Sequence, residues 1–178
     1  MKQVFFNSRF LLLCTMILAA ALSRLLTNQL HLWNFTPIAA IALFGAAHFA
    51  DKRIAFLIPV VAMLITDAII GYHPGIWDVY LALILITFIG FSLRNNVRVV
   101  PVVAVSLISS LLFFSITNFA VWMGSGFYPL TWQGLSACFA AGIPFFGNTI
   151  AGDLFYCGVL FGGYELIRKY YPSLSEVA

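Results

Sequence analysis

The chain has 178 residues, of which 62% are hydrophobic and only 8% are charged, and its net charge is +3. An ordinary soluble domain carries roughly 25% charged residues, so the composition excludes a water-soluble protein. It indicates an all-α integral membrane protein that contacts membrane lipid and forms one domain over residues 1–178. The nine lysines and arginines are scattered along the chain, which argues against a nucleic-acid partner and fits residues that set membrane topology.

Six apolar segments are predicted to cross the membrane, because about 20 apolar helical residues span a hydrocarbon core of ~30 Å. They cover about 10–26, 33–50, 54–71, 77–93, 99–122 and 147–167. The first segment resembles a signal peptide with a possible cleavage region at Ala19, Ala20 and Ala21, but Arg24 and a further apolar pair follow that region, which favours an uncleaved helix. In the second, Asn34, Thr36 and Pro37 interrupt the start, so we expect it to be tilted, kinked or partly re-entrant.

Basic residues flank alternate ends of these segments, and this pattern predicts the topology. Eight of the nine fall on one side of a six-helix bundle: Lys2, Arg9, Lys52, Arg53, Arg94, Arg98, Arg168 and Lys169. Because basic residues prefer the cytoplasmic side, the pattern predicts a bacterial inner-membrane protein with both termini in the cytoplasm. Arg24 is the exception.

Residues 123–146 are too apolar for a free loop on the outer side. Their "TWQGLSACFAAGIPFF" reads as an amphipathic or re-entrant piece that Pro144 closes. Irregular backbone at membrane depth is tolerated only where it packs on protein or lines a cavity. We therefore expect an outer capping segment above a site.

Polar and aromatic residues gather toward the outer half of the predicted bundle. An acid inside a span, such as Asp67, indicates a functional site by default. Apolar walls with a few placed polar groups are typical of small-molecule pockets. The predicted ligand-binding residues are Arg24, Asn34, Asp67, His73, Asp78, Tyr80, Asn118, Trp122, Tyr128, Trp132, Asn148 and Asp153.

Other roles remain open for several of these residues. Asp78 and Asn148 fall near helix starts, where a side-chain oxygen can cap free backbone donors. Asp153 can instead form a structural bridge with Arg24, and the tryptophans fit an aromatic belt at the membrane boundary. No Ser–His pair, HExxH motif or phosphate-binding glycine loop occurs, so we predict neither an enzyme nor a cofactor.

Small residues recur at helical spacing in the first two segments. Ala42, Ala46 and Ala50 repeat every four positions, and Ala19 or Ala20 offers a similar strip. Such faces let helices approach closely, either inside the bundle or against a partner in the membrane.

Three stretches carry a resemblance to known proteins: "NFTPIAAIALFGAAHF", "ITDAIIGYHPGIWDVY" and the region from "SSLLFFSITNFAVWMG" through "GNTIAGDLFYCGVLFGGYE". They resemble a bacterial family of small, uncharacterised integral membrane proteins. The organisation is also similar to the substrate-binding S components of energy-coupling factor transporters. That resemblance implies an outer pocket for a vitamin or precursor, and the small residues would meet a transmembrane coupling subunit that works with ATPases.

More loosely, the chain resembles the BtuM-type vitamin B12 uptake proteins, which hold the cobalt of cobalamin with a cysteine near the outer end of the third helix. Residues 61–80 contain no cysteine, and His73 occupies that neighbourhood as a possible cobalt ligand. The alternative is a structural scaffold whose polar residues only pair with one another. A scaffold would saturate Asp67 and Asp153, whereas a binding protein would hold an outward cavity of at least ~300 Å³.

Overall fold

The computed structural model describes residues 8–72 and 75–172, and His73, the predicted cobalt ligand, lies outside these ranges. The described residues form helices and no strands. The helices are α1 (Ser8–Gln29), α2 (Ile38–His48), α3 (Lys52–Ile70), α4 (Ile76–Gly90), α5 (Val99–Gly124), α6 (Trp132–Cys157) and α7 (Gly163–Tyr170). A 3₁₀ turn (Phe91–Leu93) extends α4, and a π turn (Gly158–Gly162) joins α6 to α7 without a break.

The described chain therefore contains six continuous helices, and five of them are long and apolar enough to cross a membrane. This confirms the all-helical membrane fold at the level of its helices. The third helix shows how local sequence sets the bounds. Asp51 caps its start by accepting a hydrogen bond from the Arg53 amide, and Gly71 ends it at a φ of 102°, a conformation that glycine adopts at little cost.

The second helix is shorter than predicted. It has 11 residues, or ~16 Å at 1.5 Å per residue, instead of a full span over 33–50. Residues 30–37 form turns, and His31 and Asn34 both have positive φ angles. Pro37, with no N–H to donate, stands immediately before the first helical residue. The expected interruption is therefore real, and it removes the first five residues of the predicted span.

α2 forms the centre of the bundle. Nine consecutive residues, 38–46, are buried, and the helix packs against α1, α3, α4 and α6. Ala42 and Ala46 lie inside this core, where Ala46 faces Gly90 of α4. Their small side chains therefore serve internal packing and do not face a coupling subunit. Ala50 is exposed, as is Ala19 on α1, while Ala20 is buried.

Two arginines cap the carboxyl end of α2. Arg94 donates to the carbonyl oxygens of Ala46, Phe49 and Ala50 at 2.8–3.3 Å. Arg9 of α1 donates to the carbonyl oxygen of His48 at 3.0 Å. The last carbonyls of a helix have no partner within the helix, and these guanidinium groups supply one. We call this end of the bundle the basic end.

α5 and α6 form a long antiparallel pair. Phe114 packs its ring against Phe139 and Phe146, and Asn118 lies over Gly142. The predicted capping segment 123–146 is not confirmed, because residues 132–146 are the first turns of α6. Pro144 sits inside this helix without ending it. α5 packs on one face of these turns, at Phe139 and Phe146, while Trp132, Ile143 and Phe145 are exposed.

Candidate functional site

The polar residues of the bundle interior lie in one layer, whose depth follows from contacts at the basic end. Arg9 contacts both His48 and Tyr164, so the start of α1, the end of α2 and the start of α7 are level. At 1.5 Å per residue, the first residue of α2 lies ~15 Å above this level, Asp153 ~16 Å and Arg24 ~22 Å. We call this region the mid-bundle layer.

A buried ion pair joins α1 to α3 within the layer. Arg24 Nη1 lies 2.7 Å from Asp67 Oδ1, and the two residues are 8% and 1% exposed. Arg24 also donates to the Thr66 hydroxyl at 2.6 Å, and the Tyr80 hydroxyl of α4 donates to Asp67 Oδ2 at 2.7 Å. Both carboxylate oxygens of Asp67 therefore have partners from other helices. The group links three helices and leaves Asp67 little capacity for a ligand.

A second polar group joins α5 to α6. Asp153 is 3% exposed, and its Oδ2 lies 2.6 Å from the Ser110 hydroxyl. The predicted alternative for Asp153, a bridge to Arg24, is wrong because Arg24 pairs with Asp67. Within the described residues, the ion pairs are Arg24–Asp67 and Arg168–Glu165, so Asp153 has no cation at ion-pair distance there.

The irregular connection between α1 and α2 packs directly on α6 beside Asp153. A Cβ atom at Gly152 would lie 2.9 Å from the Thr36 amide nitrogen and 3.1 Å from Phe35 Cα. One turn earlier on α6, Asn148 donates to the carbonyl oxygen of Trp33 at 3.0 Å. Residues 33–36 are thus held against α6; Trp33 and Asn34 are exposed, and Phe35 and Thr36 are half-buried.

Five further predicted site residues lie within the described ranges, and they take no part in the hydrogen bonds and ion pairs given above for this layer. Four of them belong to the far end of the α5–α6 pair: Asn118, Trp122, Tyr128 and Trp132. There Trp122 Nε1 donates to the Pro129 carbonyl oxygen, and Trp132 is 81% exposed. Asp78 lies in the first turn of α4, next to Gly75. The contacts of the described residues therefore divide the predicted site into separate groups.

Two apolar grooves open between the helices on the half away from the basic end. One, of about 590 Å³, is lined by Asp78, Leu81 and Ser115 together with residues of α5 and α6. The other, of about 370 Å³, includes Trp122 and Trp132 among its walls. Both exceed ~300 Å³, the lower size of ligand pockets. Neither groove is lined by Arg24, Asp67 or Asp153.

Sequence reasoning missed the hydroxyl residues of this interior. Ser106, Ser109 and Ser110 are all fully buried on α5, and Thr66 is fully buried on α3. The spacing of two serines could have indicated them: Ser106 and Ser110 are four residues apart in an otherwise apolar helix and therefore share a face. Arg94 was interpreted only as a topology marker, and its capping role has no signature in the sequence.

A sequence model of one protein family, described as a family of unknown function, matches residues 5–174. No curated protein and no solved structure shows significant similarity to the chain. The relation to energy-coupling factor transporters and to vitamin B12 uptake proteins therefore stays a prediction.

Proposed function

Because the chain belongs to the family of unknown function DUF6580, we propose its role from its geometry: a membrane component that binds a small polar molecule and takes part in its uptake. The observation that carries this proposal is the half-length α2. Its irregular connection brings residues 33–36 to the mid-bundle layer, next to Asp153. Discontinuous helices that end in the membrane interior are a recurring way for transport proteins to build a solute site.

The chemistry of the layer supports a polar solute. Pro37 provides no side-chain cap for α2, and the first amides of a helix have no partner within the helix. These donors, the Asp153 carboxyl and the Ser110 hydroxyl lie among apolar walls, the composition expected of a small-molecule site. The Arg24–Asp67–Tyr80 group would then hold α1, α3 and α4 around the site and would not contact the solute.

The topology belongs to the same proposal. The basic end would face the cytoplasm, in keeping with the preference of lysine and arginine for that side. Residues 30–37 and α2 together would complete the second crossing, which places both termini in the cytoplasm of a bacterial inner membrane. A vitamin or vitamin precursor is the proposed solute class, delivered with a transmembrane coupling subunit and ATPases as in S components.

Binding by the purified protein tests this proposal. Native mass spectrometry of gently extracted protein should show a retained small molecule, and equilibrium binding with a panel of radiolabelled vitamins should identify one that saturates at one per chain. Asp153→Ala should weaken that binding, whereas Glu165→Ala, an exposed acid further along the same continuous helix, should not. A wild-type protein that retains nothing and binds no member of the panel would contradict the proposal.

Cobalamin is the first compound to test, because the resemblance gives His73 as a possible cobalt ligand. Binding through a neutral imidazole should change the corrin absorbance and should weaken as the pH falls through ~6.5. His73→Ala should abolish the spectral change. Identical spectra for the wild type and this variant would exclude cobalt ligation by His73 and leave the other vitamins as candidates.

The scaffold hypothesis is the second candidate, and the saturated Asp67 favours it. Each carboxylate oxygen of Asp67 is occupied by a protein donor, as expected of a residue that only links helices. A protein of this class would bind no vitamin but would still depend on Asp67 for its stability. The binding panel therefore distinguishes the two functions.

A further inference from the structure

Among the residues that the structure describes, the immediate surroundings of Asp153 contain hydroxyl groups and no balancing charge. Ser110 of α5 faces it, and the residues of the α1–α2 connection that pack beside it, Phe35 and Thr36, carry no titratable group. On α6 itself, Cys157 lies one turn further on, and the Tyr156 hydroxyl points to Ser23 of α1 at 2.7 Å. An ionised carboxylate that is buried and unpaired costs several kcal/mol or more.

The hydrogen bonds of Ser110 indicate how this cost is avoided. Its Oγ lies 2.6 Å from Asp153 Oδ2 and 3.1 Å from the Ser106 carbonyl oxygen. A serine hydroxyl has one hydrogen and cannot donate to both oxygens at once. If Asp153 were ionised, Ser110 would have to donate to it and would leave the Ser106 carbonyl without this bond. If Asp153 carries a proton, it donates to Ser110, and Ser110 donates to Ser106.

We infer that Asp153 is a proton-binding site: in this packed arrangement its carboxyl group is protonated and donates a hydrogen bond to Ser110 Oγ, which donates in turn to the Ser106 carbonyl oxygen. This inference stands independently of the proposed solute. The proton is the ligand that the site fits, because the partner of the carboxyl group is a hydroxyl and the described residues place no cation at ion-pair distance from it.

The same face of α5 carries a further hydroxyl. Ser106 Oγ is fully buried and makes no hydrogen bond to the described residues. It lies one turn below Ser110 on the side of the basic end, with the Cys157 thiol as its polar neighbour. Ser106 and Ser110 thus form a short column of hydroxyls below Asp153. Water that entered this column would stabilise the carboxylate and favour release of the proton.

Infrared spectroscopy of the full-length protein in lipid nanodiscs tests the inference directly. The carbonyl stretch of a protonated carboxyl group is separate from the carboxylate and amide bands. The chain has only six acids, so the spectrum is simple. At neutral pH we expect one protonated-carboxyl band that Asp153→Asn removes and Asp51→Asn, a change at an exposed helix cap, leaves in place.

A second variant tests the hydrogen bond itself. Ser110→Ala removes the acceptor of the Asp153 proton, so the band should remain and move to higher wavenumber. Because this variant keeps the carboxyl group, it also assigns the band if Asp153→Asn fails to fold. A spectrum without the band at neutral pH, a band that survives in Asp153→Asn, or a band that does not move in Ser110→Ala would each overturn the inference.

Discussion

Removal of the Asp67 carboxylate is the sharpest test of how this bundle is held together. Asp67→Ala would leave the Arg24 guanidinium buried and without its ionic partner, and it would remove the acceptor of the Tyr80 hydroxyl. Breaking a buried ion pair from one side costs about 3–5 kcal/mol. At ~1.4 kcal/mol per factor of ten, the folding equilibrium constant should fall roughly a hundred- to several-thousand-fold.

The measurement is reversible unfolding in mixed micelles, followed by circular dichroism. Glu165→Ala is the matched control, because it breaks the exposed Arg168–Glu165 pair and exposed pairs contribute about 0–1 kcal/mol. The double change Arg24→Met with Asp67→Leu should recover most of the loss, since a buried pair can be replaced by apolar residues of similar volume. An Asp67→Ala variant no less stable than Glu165→Ala would refute this reasoning.

Three further results are expected. Arg94→Ala should destabilise the fold by about 1.5–3 kcal/mol, because the carbonyl oxygens of Ala46, Phe49 and Ala50 at and beyond the end of α2 lose their shared donor. Arg98→Ala, at an exposed position, should have little effect on the same unfolding transition. Gly152→Ala should lower the free energy of unfolding by about 1–3 kcal/mol, because the new Cβ would clash with backbone atoms of the α1–α2 connection. Gly147→Ala, with open space around the new Cβ, should be neutral or slightly stabilising. Reporter fusions after Lys52 and Arg98 should both give a cytoplasmic signal, and periplasmic signals at both positions would show that α2 and its connection do not complete a crossing.

The long helices at the periphery of the bundle were predictable, because apolar composition alone indicates where each one begins and ends. α1, α3, α4 and α5 begin and end within a few residues of the predicted spans, since a run of ~20 apolar residues has few alternatives in a membrane. α2 was not predictable at its true length. Its residues are as apolar as those of a lipid-facing span, yet they are buried by other helices, and composition does not distinguish these surroundings.

The pairing of the polar residues depends on which helices pack against each other, and the sequence alone does not give this arrangement. Asp67 was correctly singled out as an acid inside a span, but its partner Arg24 lies 43 positions away on α1. Asp153 is equally buried and meets only hydroxyl oxygen. Two acids of the same type in similar apolar helices thus have different surroundings, and only the packing of α1 and α5 against their helices determines which acid receives the arginine.

The π turn between α6 and α7 has a consequence for how this family can change length. A wider turn accommodates one more residue than α-helical geometry would, and without that widening every later side chain would be rotated by about 100°. The π turn therefore accommodates one additional residue without rotating α7, so Tyr164 stays directed at Arg9. Loss of one residue from Gly158–Gly162 would restore regular helix and preserve this contact, so homologues one residue shorter here are expected to keep the same inner face.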